Sequence, residues 1–165
     1  MVRAGGLIRR KNMTERSVVH STFAIERSYP ASPERLFAAF SDPAKKRRWF
    51  AEGEEFQIEH FEVDFRVGGI ETARFRSKDG RQTFQNDTVY RDILENRRIV
   101  IAYNMSAGQT RISASLATFE FIPNGKDTDL VFTEQAAFFE GADGPEIRKE
   151  GWRLLLGQLE KELAR

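Results

Sequence analysis

Glu134 and Tyr103 are the two residues whose type and setting point most directly to chemistry. Glu134 lies in a run, 128–138, whose alternation sets it on one face with Leu130 and Phe132. Tyr103 lies in 98–106 on one face with Ile99, Ile101 and Met105. A third run, 110–122, gathers Ser115, Ala117, Phe119 and Phe121. These three sets are expected on one concave surface. A carboxyl group on an otherwise apolar surface must be paired, hydrated or neutralised. In a cavity, Glu134 could orient a ligand or serve as a general acid or base, with Tyr103 as a second candidate. The ordinary alternatives are a structural ion pair with arginine or exposure at a strand end for Glu134, and a local hydrogen bond for Tyr103.

Other residue patterns carry less. His20 and His60 fall on different expected strands, with no neighbouring group at a metal-ligand spacing. Lys45-Lys46-Arg47-Arg48 is the one basic cluster in the expected folded region. It could meet phosphate or an acidic partner, and its ordinary reading is a solvated helix face. Trp49 and Trp152 sit near helix ends, where they either pack or line a pocket mouth. Asp64 and Arg66 share a strand face two residues apart and read as a structural ion pair. The glycine pair Gly68-Gly69 is too short for a phosphate-binding loop and opens no helix. Cysteine is absent, which excludes disulfides, thiolate nucleophiles and cysteine metal sites.

Composition narrows the function classes. The chain has 165 residues, 40% of them hydrophobic, with 14 Phe, 2 Trp and 3 Tyr. Such a chain can fill one core and still line an apolar cavity. Net charge is +1, which argues against a nucleic-acid-binding domain. No apolar run reaches the roughly 18 residues of a membrane span. The expectation is a disordered extension over 1–16, with Met13 as an alternative start to Met1, and one domain over 17–165. The cytoplasm is the default location.

The elements that must position these residues follow from local signals. Residues 18–29 alternate as a first strand, which Pro30 ends. Ser32-Pro33 starts a short helix, with Ser32 at the N-cap and Pro33 at N1. Ser41-Asp42-Pro43 starts a second, ending near Trp49-Phe50. Strands are expected over 55–65, 70–77, 82–94, 98–106, 110–122 and 128–138, separated by turn signals short enough for an antiparallel meander. A final helix over 145–163 carries Ile147, Trp152, Leu155, Leu156, Leu159 and Leu163 on one broad face. The resulting class is α+β, a curved antiparallel sheet wrapped around a long C-terminal helix.

Four pieces of sequence, within about residues 20–163, carry a family resemblance. They are Ser41-Asp42-Pro43 through Trp49-Phe50, Asp64-Phe65-Arg66-Val67-Gly68-Gly69, Thr118-Phe119-Glu120-Phe121 with Asp127-Thr128-Asp129-Leu130, and Gly151-Trp152 with Leu156 and Leu159. The chain resembles the bacterial homologues of the activator of heat-shock protein 90 ATPase, within the START-like (SRPBCC) superfamily. Phe50 stands where the family has a second Trp, Glu95-Asn96 where a Pro pair is frequent, and Glu134 where His is common. The resemblance implies a helix-grip fold and an apolar cavity for hydrophobic molecules, a few relatives being cyclases or hydrolases. The inherited chaperone name does not by itself imply chaperone work.

The first functional expectation is binding of an unidentified small hydrophobic molecule between sheet and C-terminal helix. Its cavity-lining candidates are Trp49, Phe65, Phe84, Ile101, Tyr103, Phe119, Phe121, Phe132, Glu134, Trp152 and Leu156. No catalytic residue, metal or cofactor is assigned. The alternatives are a cyclase- or hydrolase-type enzyme using Glu134 or Tyr103, and a co-chaperone-like or stress-response interaction module using the basic run. No nucleic-acid partner and no membrane span are expected; homodimerisation is left open.

Overall fold

The computed structural model of the protein describes residues 16–165. The expected extension lies, up to residue 15, outside the described residues. Seven antiparallel strands form one curved sheet: β1 (Val19–Tyr29), β2 (Phe56–Val63), β3 (Ile70–Ser77), β4 (Thr83–Leu94), β5 (Arg98–Ala107), β6 (Thr110–Asn124) and β7 (Asp127–Phe138). Their spatial order is β1-β7-β6-β5-β4-β3-β2, so β2 to β7 form a meander and β1 closes against the last strand. Register shifts between Ile58 and His60, Tyr90 and Asp92, and Met105 and Ser106 mark bulges, which bend a sheet and increase its twist.

Helix α1 (Pro33–Ser41) begins as its sequence dictates. Ser32 Oγ accepts from the Arg35 amide at 3.2 Å, and Pro33 occupies the first turn. Asp42 ends α1 and caps α2 (Pro43–Lys46), accepting from the Ala44 amide at 3.0 Å. Helix α2 runs directly into a π-helical turn, Arg47–Ala51, which the sequence did not announce. This turn buries Trp49, Phe50 and Ala51 in succession, and the Trp49 indole donates to the Ala39 carbonyl at 2.8 Å.

The C-terminal helix α3 (Pro145–Leu163) buries Arg148, Trp152, Leu156 and Leu159. That spacing turns Ile147 outward, where it is 66% exposed, against the expectation that it faces the core. Arg148 takes the inward position because its guanidinium finds partners there, as described below. The inward sets expected on β5, β6 and β7 are buried, apart from half-buried Met105, and Leu116 and Glu120 point out. Aromatic side chains dominate the space between sheet and helices. Phe132 lies 4.5 Å from Trp152 and 4.9 Å from Phe119, ring centre to ring centre.

The Asp64–Gly69 block is the bend from β2 to β3. Arg66 Nε pairs with Asp64 Oδ2 at 2.7 Å, and both side chains are exposed, so their role is local. The Gly68 amide donates to the Tyr90 carbonyl at 2.7 Å, and the Tyr90 amide to the Gly69 carbonyl at 3.0 Å. These bonds dock the bend onto β4. Gly68 has φ +82°, a conformation in which a side chain costs ~1–2 kcal/mol. Gly69 is needed for a different reason: a Cβ there would overlap the Asp64 carbonyl oxygen and stand 2.9 Å from that of Arg66. Gly69→Ala is therefore expected to lose more stability than Gly68→Ala, because rigid backbone must shift to admit it. Urea midpoints of the two variants check this ranking; equal midpoints would contradict it.

Candidate functional site

Inter-strand register builds the site. On the inner face Glu71 pairs with Thr88, Thr88 with Tyr103, and Tyr103 with Ser115, a polar row across four neighbouring strands. The next row in one direction holds Ala73, Asn86, Met105 and Ser113. In the other direction it holds Tyr90, Ile101, Ala117 and Glu134. A cavity of about 20 Å³ lies over this part of the sheet. Its walls are Glu71, Asn86, Thr88, Ile101, Tyr103 and Phe119 from the sheet, Lys46, Trp49 and Phe50 from α2 and the π-helical turn, and Trp152 from α3. One water needs roughly 10–15 Å³ of such space, so the cavity has room for one or two. Aromatic rings fill most of the region that the sequence reading left open. A larger ligand enters only if they move.

One end of the cavity holds a buried ion pair. Lys46 Nζ donates to Glu71 Oε1 at 2.7 Å and to the Tyr90 hydroxyl at 3.2 Å. Tyr90 donates in turn to the same Glu71 oxygen at 2.7 Å. Burial and the Glu71 carboxylate push the Tyr90 phenol well above its ordinary value, so it acts as a donor and not as a base. The ammonium also lies 4.9 Å from the centre of the Phe50 ring. Lys46 thus points inward, against the solvated-face reading of its cluster. Its neighbours are paired separately: Arg47 with Glu52 at 2.9 Å, and Arg48 with Glu162 at 2.5 Å.

Behind the opposite wall lies a second polar cluster. Glu134 is fully buried and accepts from the Tyr103 hydroxyl at 2.6 Å, the Trp152 indole at 3.0 Å and Ser115 at 3.4 Å. Arg148 approaches it at 3.6 Å and donates to Tyr103 at 3.0 Å, to Ser113 at 2.9 Å and bidentately to Asp143 at 2.8 Å. Desolvation raises the Glu134 carboxyl above its ordinary value, while Tyr103, Arg148 and Trp152 draw it back down. Burial and Glu134 together raise the Tyr103 phenol. Both Glu134 oxygens are occupied by protein groups, and the carboxylate does not line the cavity. Its position fits the structural ion pair weighed from sequence better than an acid–base role.

The family of Activator of Hsp90 ATPase homolog 1-like proteins matches residues 30–164. The chain belongs to this family. Its helix-grip architecture agrees with solved structures of relatives. A protein from Rhizobium loti is 48% identical, with a TM-score of 0.82 over 89% of this chain and 99% of that one. One from Rhizobium leguminosarum is 42% identical, with a TM-score of 0.86 over 90% and 97%. One from Chromobacterium violaceum is 25% identical, with a TM-score of 0.74 over 87% and 97%. A search of curated proteins found no match. Among the described residues there is no group of three or more His, Asp or Glu able to hold a metal, and no helix is long and apolar enough to cross a membrane.

Within this member of the Activator of Hsp90 ATPase homolog 1-like family, five of the eleven expected lining residues reach the cavity: Trp49, Ile101, Tyr103, Phe119 and Trp152. Phe132 lies beneath Trp152, and Leu156 is buried further along α3. Phe121 packs with Phe37 and Phe40 of α1. Phe65 fills the gap between Phe37 and Tyr90, outside the cavity. Phe84 lies two residues before Asn86 on β4, beyond the cavity, and packs 5.8 Å from Phe56 instead. The sequence reading omitted Lys46, Phe50, Glu71, Asn86 and Thr88. Parity on β3 held the signal for Glu71, which alternates in phase with Ala73 and Phe75.

Two predictions follow from these clusters. Lys46→Met leaves Glu71 buried without its cation and should cost about 3–5 kcal/mol in chemical denaturation. Adding Glu71→Leu should recover much of that loss; a double variant weaker than the single one would contradict the pairing. For Glu134 the folded state holds the proton more tightly than the unfolded chain. The resulting contribution is complete below the ordinary glutamate value and fades as pH rises through the raised one. The melting temperature of the protein relative to Glu134→Gln should therefore fall as pH is raised from the ordinary glutamate range. A pH-independent difference would refute the assignment.

Proposed function

We propose that the protein binds a small, mainly apolar molecule in the cavity between the sheet and α3 and does no chemistry on it. The observation that supports this reading is the cavity wall itself. Trp49, Phe50, Tyr103, Phe119 and Trp152 present aromatic surface, and nine of the ten lining residues are buried. Burial of ligand surface there would supply most of the affinity, at ~25 cal/mol per Å² before binding costs. The small volume implies that binding displaces side chains. Phe50 and Trp49 sit on the π-helical turn, an irregularity that recurs at functional sites.

The enzymatic alternative has less support. Glu134 is enclosed by four protein partners, and the Tyr103 phenol is harder to ionise than usual. The interaction-module alternative relied on a basic surface at 45–48, and three of those four side chains are held by Glu71, Glu52 and Glu162.

Both tryptophans of the chain line the cavity, so intrinsic fluorescence reports on it directly. Titration with isopropylbenzene should change the emission and raise the melting temperature. Ile101→Phe should abolish both responses by overfilling the space. Absence of both responses in the parent protein, across isopropylbenzene and other apolar fragments, would refute the reading.

A further inference from the structure

The cavity is apolar on one side only. Its other side, formed by α2, β3 and β4, carries Lys46, Glu71, Asn86 and Thr88. Asn86 Oδ1 is buried and accepts no hydrogen bond. Glu71 Oε1 receives both the Lys46 and the Tyr90 bonds, while Oε2 receives none from the described residues. Lys46 Nζ uses two of its three protons on Glu71 and Tyr90. The wall therefore presents acceptors at Asn86 Oδ1 and Glu71 Oε2, and donors at the Asn86 amide nitrogen, the Thr88 hydroxyl and the third proton of Lys46, beside an aromatic surface.

We infer that this wall is a head-group subsite for a neutral carboxamide-like group, one that carries an N–H donor beside a carbonyl acceptor, on a ligand with an aromatic or aliphatic body. The inference rests on the proposed binding function and specifies its ligand. Charge balance selects the class. The positive charge of Lys46 is already matched by Glu71 at 2.7 Å. A carboxylate ligand would meet the Glu71 carboxylate at close range and be repelled. A cationic ligand would compete with the ammonium that already occupies the place beside Glu71 and the Phe50 ring. A hydrocarbon would cover the acceptors and leave them unpaired. A carboxamide satisfies both sides, its N–H groups meeting Asn86 Oδ1 or Glu71 Oε2 and its oxygen meeting the third proton of Lys46. Discrimination of this kind is large when a site's buried polar groups would otherwise go unpaired.

The test uses the full chain and four probes of closely similar shape: benzamide, acetophenone, benzoate and isopropylbenzene. Dissociation constants come from NMR titration that follows the indole protons of Trp49 and Trp152. Benzamide should bind at least tenfold more tightly than each of the others. In Asn86→Leu that preference should shrink at least threefold while isopropylbenzene still binds. Affinities within threefold across the series would overturn the subsite and leave the cavity function standing. Benzoate binding tightest would also overturn it, by showing that Lys46 acts as an uncompensated cation. If no probe binds, the cavity function and the subsite both fall.

Discussion

An ammonium group withdrawn from water is the constraint around which the site is arranged. Lys46 stands at the end of α2, and its charge requires a partner of opposite sign within reach. Glu71 meets that need from the second residue of β3, and the neutral Tyr90 hydroxyl on β4 bridges the two, accepting from Lys46 and donating to Glu71. Three elements distant in sequence are thereby fixed at one point. Glu71 holds its place because the bend before it admits only glycine at 69 and is hydrogen-bonded to the Tyr90 backbone. The π-helical turn begins at the next residue after Lys46, so the same anchor sets where Trp49 and Phe50 enter the core. The β2–β3 bend and the end of α2 are coupled through this ion pair.

The second cluster performs a similar task from the other end. Arg148 lies in the first turns of α3, and Asp143, Ser113 and Tyr103 satisfy its donors. Glu134 takes the Tyr103 hydroxyl and the Trp152 indole, which fixes two walls of the cavity in orientation. Tyr103 shows its ring to the cavity and its hydroxyl to this network. The aromatic lining is therefore held between two sets of polar clamps. The side chains free of such clamps, Phe50 above all, are those able to yield to a ligand.

Much of the architecture was legible from local signals. The Ser32-Pro33 and Asp42-Pro43 starts, the short turns between strands and the strand parity of β5 to β7 each have a direct physical meaning, and each is realised. The site was legible only in part. Helix α2 has four residues, too few for a periodicity that would turn Lys46 inward. The π-helical turn breaks the spacing from which Trp49 and Phe50 would be placed. Ile147 was expected on the broad apolar face of the last helix, and what overrode it was the partner set awaiting Arg148. Phe84 shows the limit of parity: alternation assigns a face, whereas position along the strand decides whether anything covers it. Glu71 was within reach of the same parity rule, but a charged residue is discounted as core until its cation is found.

The polar row across the inner face has a bearing on function. Replacing a buried ion pair by apolar residues of similar volume is frequently neutral or stabilising. A sheet that needed only to grip α3 would be served as well by aliphatic side chains at 46, 71, 86 and 88 together. Instead Glu71, Asn86 and Thr88 stand together beside a cavity in a largely aromatic interior. Elsewhere in the core the buried polar groups close on one another, as Glu134 does with Tyr103, Trp152 and Ser115. At the cavity, by contrast, Asn86 Oδ1 is left without a partner. A group kept polar, buried and unclosed at the same place contributes little to the fold, and its chemistry is what a ligand would meet first.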